Sequence, residues 1–190
     1  MNVAITTALV VGAWFVVDTG AQTWAALSGT TANSGNAFSA GTVALTDNDG
    51  GSSPMFTFTN QRPGVVDNSC IRVNYAGSLS ATVKLYASVS GTLAPYVSMT
   101  VTRGTDSSPS FDSCANFTPD ALNYNGLGNG VLFSGPLSSF PTTYAGALAD
   151  PAATWTSGTT ASYRVSVQIA DVNAAQGLSC SSTFTWEARS

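Results

Sequence analysis

Alternation of apolar and polar residues is the feature that most constrains the fold of this chain. Residues 71–75, 83–87 and 97–101 place apolar side chains at every second position, and residues 163–169 and 184–188 repeat the pattern. A period of two is typical of a strand with one buried face. No stretch of useful length after residue 25 has the 3.6-residue period of an amphipathic helix. The sequence therefore predicts an all-β fold.

Clusters of turn-forming residues separate these segments. The run DNDGG at 47–51 follows an alternating segment at 42–46, and Pro63-Gly64 ends another at 55–59. Short strands between such turns favour an antiparallel β-sandwich with a jelly-roll-like topology. Residues 104–155 are rich in Gly, Pro, Ser and Asn. We expect long irregular loops there, with one or two short strands and a helical turn.

Histidine is absent from the 190 residues, and only 8% of the residues are charged. Histidine is the commonest metal ligand and the usual general base near neutral pH. Its absence excludes Ser-His-Asp and Cys-His catalysis and the His-rich zinc sites of metalloproteases. The six basic residues are scattered singly. The chain therefore lacks the basic surface that nucleic acid or an anionic membrane would require.

The first 25 residues resemble a signal peptide. Residues 3–17 are all apolar or small, which is shorter than the roughly 20 residues of a spanning helix and matches a signal-peptide core. Thr23 and Ala25 supply small residues at positions −3 and −1 of a cleavage before Ala26. The usual basic residues are missing before the core, as expected if the true start lies upstream. The alternative is a core helix or strand that the product retains.

The three cysteines, Cys70, Cys114 and Cys180, allow at most one intramolecular disulfide. Export would place them in an oxidising compartment, where such a bridge persists. We favour the pair Cys70–Cys114, because Cys180 lies in the Ser-rich approach to a strand, and the other pairings stay open. A zinc site made of three thiolates is not expected.

Aspartates are the remaining candidates for chemistry, because a glycosidase needs two suitably spaced carboxylates. The candidates are Asp47, Asp49, Asp112, Asp120, Asp150 and Asp171. Most lie in turn-like contexts, and turn formation explains them without catalysis. Asp47 and Asp49 are also weak candidates for a calcium site, but no acidic ligand follows at the spacing of an EF-hand. We therefore expect no enzyme activity, no metal and no cofactor.

Four pieces of sequence, taken in order, resemble the TasA/camelysin family of secreted proteins, especially its actinobacterial members. They are TWAALS at 23–28, NAFSAGTVAL at 36–45, FTN at 58–60 with Pro63-Gly64, and FTWEA at 184–188. The likeness covers nearly the whole chain from residue 23 to residue 189. Two positions depart from the family pattern. Val65 replaces the usual acidic residue after Pro-Gly, and Asp18 lies in the N-terminal hydrophobic region.

The resemblance implies a jelly-roll-like β-sandwich that is exported, cleaved between Ala25 and Ala26, and assembled into extracellular fibres or biofilm matrix. It implies a single sandwich domain at 39–190, preceded by an extended segment at 26–38. That segment would add as a strand to the sheet of the next copy, head to tail. The residues expected to mediate polymerisation are Ala26, Leu27, Ser28, Thr30, Thr31, Ala32 and Phe38. Other matrix proteins or polysaccharide are further expected partners. The metallopeptidase label of some relatives does not transfer to a chain without histidine.

Residues 26–34 supply a physical basis for polymerisation that is independent of the resemblance. They are uncharged and mostly small, so they cannot build a core alone. An extended segment of this kind can satisfy an exposed sheet edge through main-chain hydrogen bonds, and head-to-tail exchange yields filaments. One alternative is a leader without fixed structure. Another is a secreted monomer that binds carbohydrate or protein, with aromatic residues forming a platform. Core packing is the favoured role for most of those aromatics, which are Phe56, Phe58, Tyr75, Tyr86, Trp155, Phe184 and Trp186.

Overall fold

The computed structural model describes residues 40–58 and 61–190. In this part of the chain, two antiparallel β-sheets pack face to face, which confirms the predicted all-β sandwich. Residues 41–190 form one compact unit. The predicted signal segment at 1–25, the cleavage site and the polymerisation segment at 26–38 lie outside the described residues. No helix within the described ranges is long and apolar enough to cross a membrane.

The described residues contain nine strands and four single-turn 3₁₀ helices. The strands are β1 (Leu45–Asp47), β2 (Val66–Tyr75), β3 (Thr82–Ser90), β4 (Val97–Asp106), β5 (Phe117–Pro119), β6 (Val131–Pro136), β7 (Leu148–Ala149), β8 (Thr160–Ile169) and β9 (Ser181–Arg189). The 3₁₀ helices span Ala94–Tyr96, Leu137–Ser139, Tyr144–Gly146 and Asn173–Ala175.

The strands divide into a large sheet and a small sheet. The large sheet has the order β1-β2-β8-β4-β5, and β6 also pairs with β4; the small sheet has the order β7-β3-β9. Five connections cross between the sheets, from β2 to β3, β3 to β4, β6 to β7, β7 to β8 and β8 to β9. The crossings that leave β2, β3 and β8 define two ends of the sandwich. The lower end contains Tyr75, Thr82 and Arg189, and the upper end contains Ile169 and Ser181.

Alternation along the long strands builds the core between the sheets. On β2, Ile71, Val73 and Tyr75 are buried, while the residues between them lie on the outer face. The opposing β3 buries Val83 and Leu85 in the same way. Burying an aliphatic side chain of this size contributes about 1.5–3 kcal/mol. The predicted strand positions in β2, β3, β4, β8 and β9 are confirmed by this pattern.

Three local predictions differ from the structure. Residues 55–58 form no strand, because they have no strand partner in the described chain; Met55 and Phe56 instead pack irregularly against the core. The first strand covers Leu45–Asp47 rather than 42–46, since its pairing with β2 begins at Leu45. The region 104–155 is more regular than expected. It contains three short strands, because β5 and β6 pair with β4 and β7 pairs with β3.

A disulfide joins Cys70 to Cys114, which confirms the favoured pairing, and Cys180 is a free thiol. The bridge ties β2 to the loop that precedes β5. The same loop is held by the backbone N–H of Asp112, which donates to the Cys70 carbonyl oxygen at 3.0 Å. The disulfide therefore fixes an irregular segment against the outer face of the large sheet.

Replacing both bridged cysteines by alanine (C70A/C114A) should lower the free energy of unfolding by roughly 4 kcal/mol. The bridged residues are 44 positions apart, and loop-closure entropy in the unfolded chain predicts a loss of that order. Urea denaturation of the double variant and the parent measures the difference. The matched control is C180A, which removes a thiol without opening a loop and should change stability little. A C70A/C114A loss no larger than that of C180A would contradict the prediction.

Candidate functional site

The sandwich is open along one side, where β9 faces the β1 and β2 side of the large sheet. Within the described residues, β9 pairs with β3 alone, so its second edge has no strand partner. A groove with a volume of about 1430 Å³ runs along this side. We call it the β9 groove.

The floor of the β9 groove is apolar and comes from both sheets. Phe184 and Trp186 of β9 line it from the small sheet, and Ile71, Val97 and Met99 line it from the large sheet. Four aspartates lie along it, namely Asp47, Asp49, Asp67 and Asp171, and no lysine or arginine is among the described lining residues. The groove is thus an apolar surface with an acidic rim.

Within the described residues, the inward-facing side chains of the small sheet are less buried on β9 than on β3. On β3, the inward-facing Leu85 and Ala87 are 2% and 0% exposed. Their cross-strand partners on β9 are Trp186 and Phe184, which are only partly buried. The indole N–H of Trp186 is buried but has no hydrogen-bond partner within residues 40–58 and 61–190.

Aromatic contacts hold the floor of the groove in place. The ring of Phe184 lies edge-on to Phe140 with 5.8 Å between centroids, and Phe140 lies edge-on to Phe133 at 4.9 Å. Trp186 packs against the buried Tyr163 at 5.4 Å. Such pairs contribute beyond simple burial. The open surface is therefore preformed.

Residues 51–58 form one wall of the groove. Phe56 and Phe58 contact each other with 5.6 Å between centroids, yet 40% of Phe58 is exposed to solvent. Phe56 packs against the core from the same segment. The wall thus presents an aromatic surface that the sandwich itself does not cover.

Cys180 lies at the upper end of the groove, directly before β9. Its side chain is partly buried, and that burial raises the pKa of the thiol. The neighbouring Gly91 has a φ of +98°, and a Cβ there would collide with the backbone at Ser179 and Cys180. Only glycine lets the β3–β4 connection approach so closely. This approach sets the position of Cys180 in the groove.

Asp47 and Asp49, the weak metal candidates, act as turn-capping residues. Asp47 Oδ1 accepts the backbone N–H groups of Asp49 at 3.0 Å and Gly50 at 2.6 Å. Asp49 Oδ1 accepts from the backbone N–H of Ser53 and the hydroxyl of Ser52, both at 3.0 Å. No group of three or more potential metal ligands occurs in the part of the chain that the structure describes. Both carboxylates are used to shape the loop after β1.

Asp120 and Asp150 do come together, around Arg103 of β4. Arg103 Nε donates to Asp150 Oδ2 at 2.7 Å, and Nη1 donates to Asp120 Oδ2 at 2.5 Å. Tyr124 Oη also donates to Asp120, at 2.7 Å. Sequence reasoning placed these aspartates in turns and missed the cluster. The signal for it was the single arginine within the alternating segment that became β4.

Both carboxylate oxygens of Asp150 accept hydrogen bonds within this buried cluster. Its side chain is 1% exposed. It accepts hydrogen bonds from the indole of Trp155 at 3.0 Å, the hydroxyl of Tyr163 at 2.7 Å and the backbone N–H of Ala152 at 2.8 Å. Burial, together with the charge of Asp150, raises the pKa of Tyr163 well above its usual value. The arrangement leaves no open position for a substrate or metal, so it joins β4, β7 and β8 structurally.

The other sequence candidates lie apart. Asp112 is in the disulfide-bound loop, with a φ of 67°, and Asp171 is exposed after β8. Among the aromatics, Tyr75 and Trp155 are core residues, as favoured, and Phe56, Phe184 and Trp186 are partly buried beside the core. Tyr86 instead lies on the outer face of the small sheet, and its hydroxyl donates to Glu187 at 2.8 Å. Four of the seven aromatics, Phe56, Phe58, Phe184 and Trp186, therefore lie together along the β9 groove, and the other three do not.

Replacing Arg103 by methionine (R103M) should lower the free energy of unfolding by about 3–5 kcal/mol, because Asp150 would stay buried without its cation. The matched control is R189M. That change breaks the exposed pair between Arg189 Nε and Glu187 Oε1, which are 2.6 Å apart, and it should cost less than about 1 kcal/mol. Urea denaturation compares the two variants. Equal losses would contradict the structural role of the buried cluster.

The sequence matches no protein-family model and no curated protein. A functional proposal therefore has to rest on the β9 groove, on its unpaired edge strand and on the segment of chain that precedes residue 40.

Proposed function

We propose that this protein is a secreted structural subunit that polymerises head to tail into extracellular filaments or biofilm matrix. Residues 26–38 of one copy add as a strand to the free edge of β9 in the next copy. The observation that carries the proposal is the β9 groove, where, within residues 40–58 and 61–190, an edge strand without a partner borders partly buried core side chains.

The edge of β9 supplies the main-chain part of the contact. A strand paired on one side presents unpaired N–H and C=O groups along the other. An added strand satisfies these groups, while its side chains fill the surface beside them. The partly buried Phe184 and Trp186 are the side chains that such a strand would cover.

The size of the groove favours a polypeptide occupant. Sites for small molecules typically enclose about 300–1,000 Å³, whereas this groove measures about 1430 Å³. The strand β9 has 9 residues, or about 30 Å at roughly 3.3 Å per residue. The 13 residues at 26–38 reach about 43 Å when extended. The segment is therefore long enough to cover the whole edge.

The chemistry of residues 26–38 also suits the groove. The segment carries no charged side chain, so its burial against the apolar floor requires no ion to be desolvated. Leu27 and Phe38 provide two large apolar side chains among mostly small ones. Because each copy carries both a groove and a segment, the contact is heterologous and does not close on itself, which gives a filament.

Export is supported by the disulfide, since such bridges persist in oxidising compartments. A structural rather than catalytic role is supported by the candidate carboxylates. Asp47, Asp49, Asp120 and Asp150 all bind groups of the protein itself. Turn formation and the buried cluster account for these four residues without a reaction.

Deleting residues 26–36 should abolish filaments and leave a folded monomer. Electron microscopy detects the filaments, and the labelling rate of Cys180 with a thiol reagent reports whether the groove is occupied. In the intact protein the thiol should react in monomers and be protected in filaments, because Cys180 lines the groove. In the deletion variant it should stay reactive at every protein concentration.

Three results would overturn the proposal. One is unchanged filaments after the deletion. Another is protection of Cys180 in an intact monomer that the deletion exposes, which would mean that the segment fills its own groove. The third is a persistent monomer with affinity for glycans, which would support a secreted binding module instead.

Placing a lysine at the groove wall (F58K) should raise the protein concentration needed for assembly at least tenfold. Phe58 is 40% exposed, so the monomer should tolerate the change, but a bound strand would bury the new charge. The matched control is L122K, since Leu122 is 68% exposed and lies outside the groove. Light scattering against protein concentration measures both variants. Equal effects of F58K and L122K would contradict the assignment of the groove.

A further inference from the structure

A cationic patch lies at the lower end of the small sheet, on its outer face. Lys84 Nζ is 4.8 Å from the ring centroid of Tyr144, and the guanidinium carbon of Arg189 is 3.8 Å from the same centroid. Cations bind the faces of aromatic rings favourably, so the ring holds both side chains beside one another. The chain has six basic residues in all, and two of them meet here.

One carboxylate lies within this patch and does not neutralise it. Glu187 Oε1 accepts from Arg189 Nε at 2.6 Å, and Glu187 Oε2 accepts from Tyr86 Oη at 2.8 Å. These two hydrogen bonds lower the pKa of Glu187, so it is ionised near neutral pH. Lys84 makes no salt bridge within the described residues. Two cations against one anion leave a local charge of +1.

The β9 groove carries the opposite charge at the upper end of the molecule. Asp67, near the start of β2, and Asp171, after β8, both line it there. Asp67 accepts from the amide of Gln61. Asp171 is exposed and has no side-chain hydrogen bond within residues 40–58 and 61–190. Arg62 is the basic residue next to this rim in sequence, and it is also exposed.

The start of the described chain is anchored at the lower end. The backbone N–H of Thr42 donates to Ser78 Oγ at 2.8 Å, and the N–H of Leu79 donates to the Thr42 carbonyl oxygen at 3.1 Å. Residue 38 is four positions before Thr42 in the sequence, and four residues of extended chain span at most about 14 Å. If residues 26–38 enter another copy, the mouth of that groove must lie against the lower end of the donating copy.

We propose that the cationic patch of one copy, Lys84 and Arg189, pairs with the acidic upper rim of the next copy, Asp171 and Asp67. This inference rests on the proposed head-to-tail assembly and deepens it. With the groove entered at its upper end, residue 38 lies near Ser181 and residue 26 lies deeper, toward Arg189. The added strand then runs antiparallel to β9, which extends the antiparallel order of the small sheet.

The test is a charge exchange between the two surfaces in the full chain. K84E and D171K each replace an attraction by a repulsion, so each should raise the concentration needed for assembly roughly fivefold. The double variant K84E/D171K should restore assembly. An equal mixture of the two single variants should also assemble, because every junction between alternating copies then brings opposite charges together. Added salt should weaken assembly of the parent and reduce these differences.

Circular dichroism and thermal unfolding of the monomers check that the single variants fold. D47K is not a suitable control, because Asp47 caps a turn; T100K instead places a charge on the outer face of the large sheet, away from both surfaces. T100K should leave assembly unchanged.

The outcomes separate this inference from the proposed function. If the charge variants assemble like the parent while deletion of 26–36 still abolishes filaments, the pairing of patch and rim is wrong and strand exchange stands. If the single variants fail and neither the double variant nor the mixture recovers, the two surfaces do not meet and the pairing is again wrong. If deletion of 26–36 leaves filaments intact, the proposed function itself fails.

Discussion

The pairing of β9 on one side only, within the residues that the structure describes, is the constraint on which the rest of this structure depends. A sandwich is stable when both of its sheets cover the core, yet in this part of the chain the small sheet ends at β9, one strand beyond β3. The inward side chains of β3 are buried from solvent, whereas their cross-strand partners on β9 are only partly buried. The described part of the fold therefore combines an edge without a strand partner, an aromatic floor and a groove on the same side of β9.

Other parts of the molecule make that opening tolerable. The buried cluster around Asp150 joins β4, β7 and β8, and the Cys70–Cys114 bridge holds the long irregular region to the large sheet. Phe140 contacts the ring of Phe184, and Tyr163 contacts the ring of Trp186, so both side chains of β9 are held in position. These interactions stabilise the frame without using the β9 edge. Binding of another strand at that edge, as proposed, would leave these interactions unchanged.

Period-two alternation was enough to predict the sandwich and its five long strands, because each of them buries one face. It failed at 55–58, where apolar residues alternate but no neighbouring strand completes a ladder. It also could not find the groove, since an unpaired edge is a property of how strands are ordered in space. The same holds for Arg103, whose partners Asp120 and Asp150 are distant in sequence. The disulfide was predictable because three cysteines allow only three different pairings.

The separation of the Thr42 anchor from the upper rim of the groove has a consequence for growth. A filament built from such subunits is polar, with a vacant groove at one terminus and an unused strand at the other. The two termini can then be controlled independently. A subunit without its leading segment would occupy a place at one terminus and stop addition there, whereas a subunit with a blocked groove would stop addition at the opposite one. Length and direction of growth would thus be set by the composition of the subunit pool.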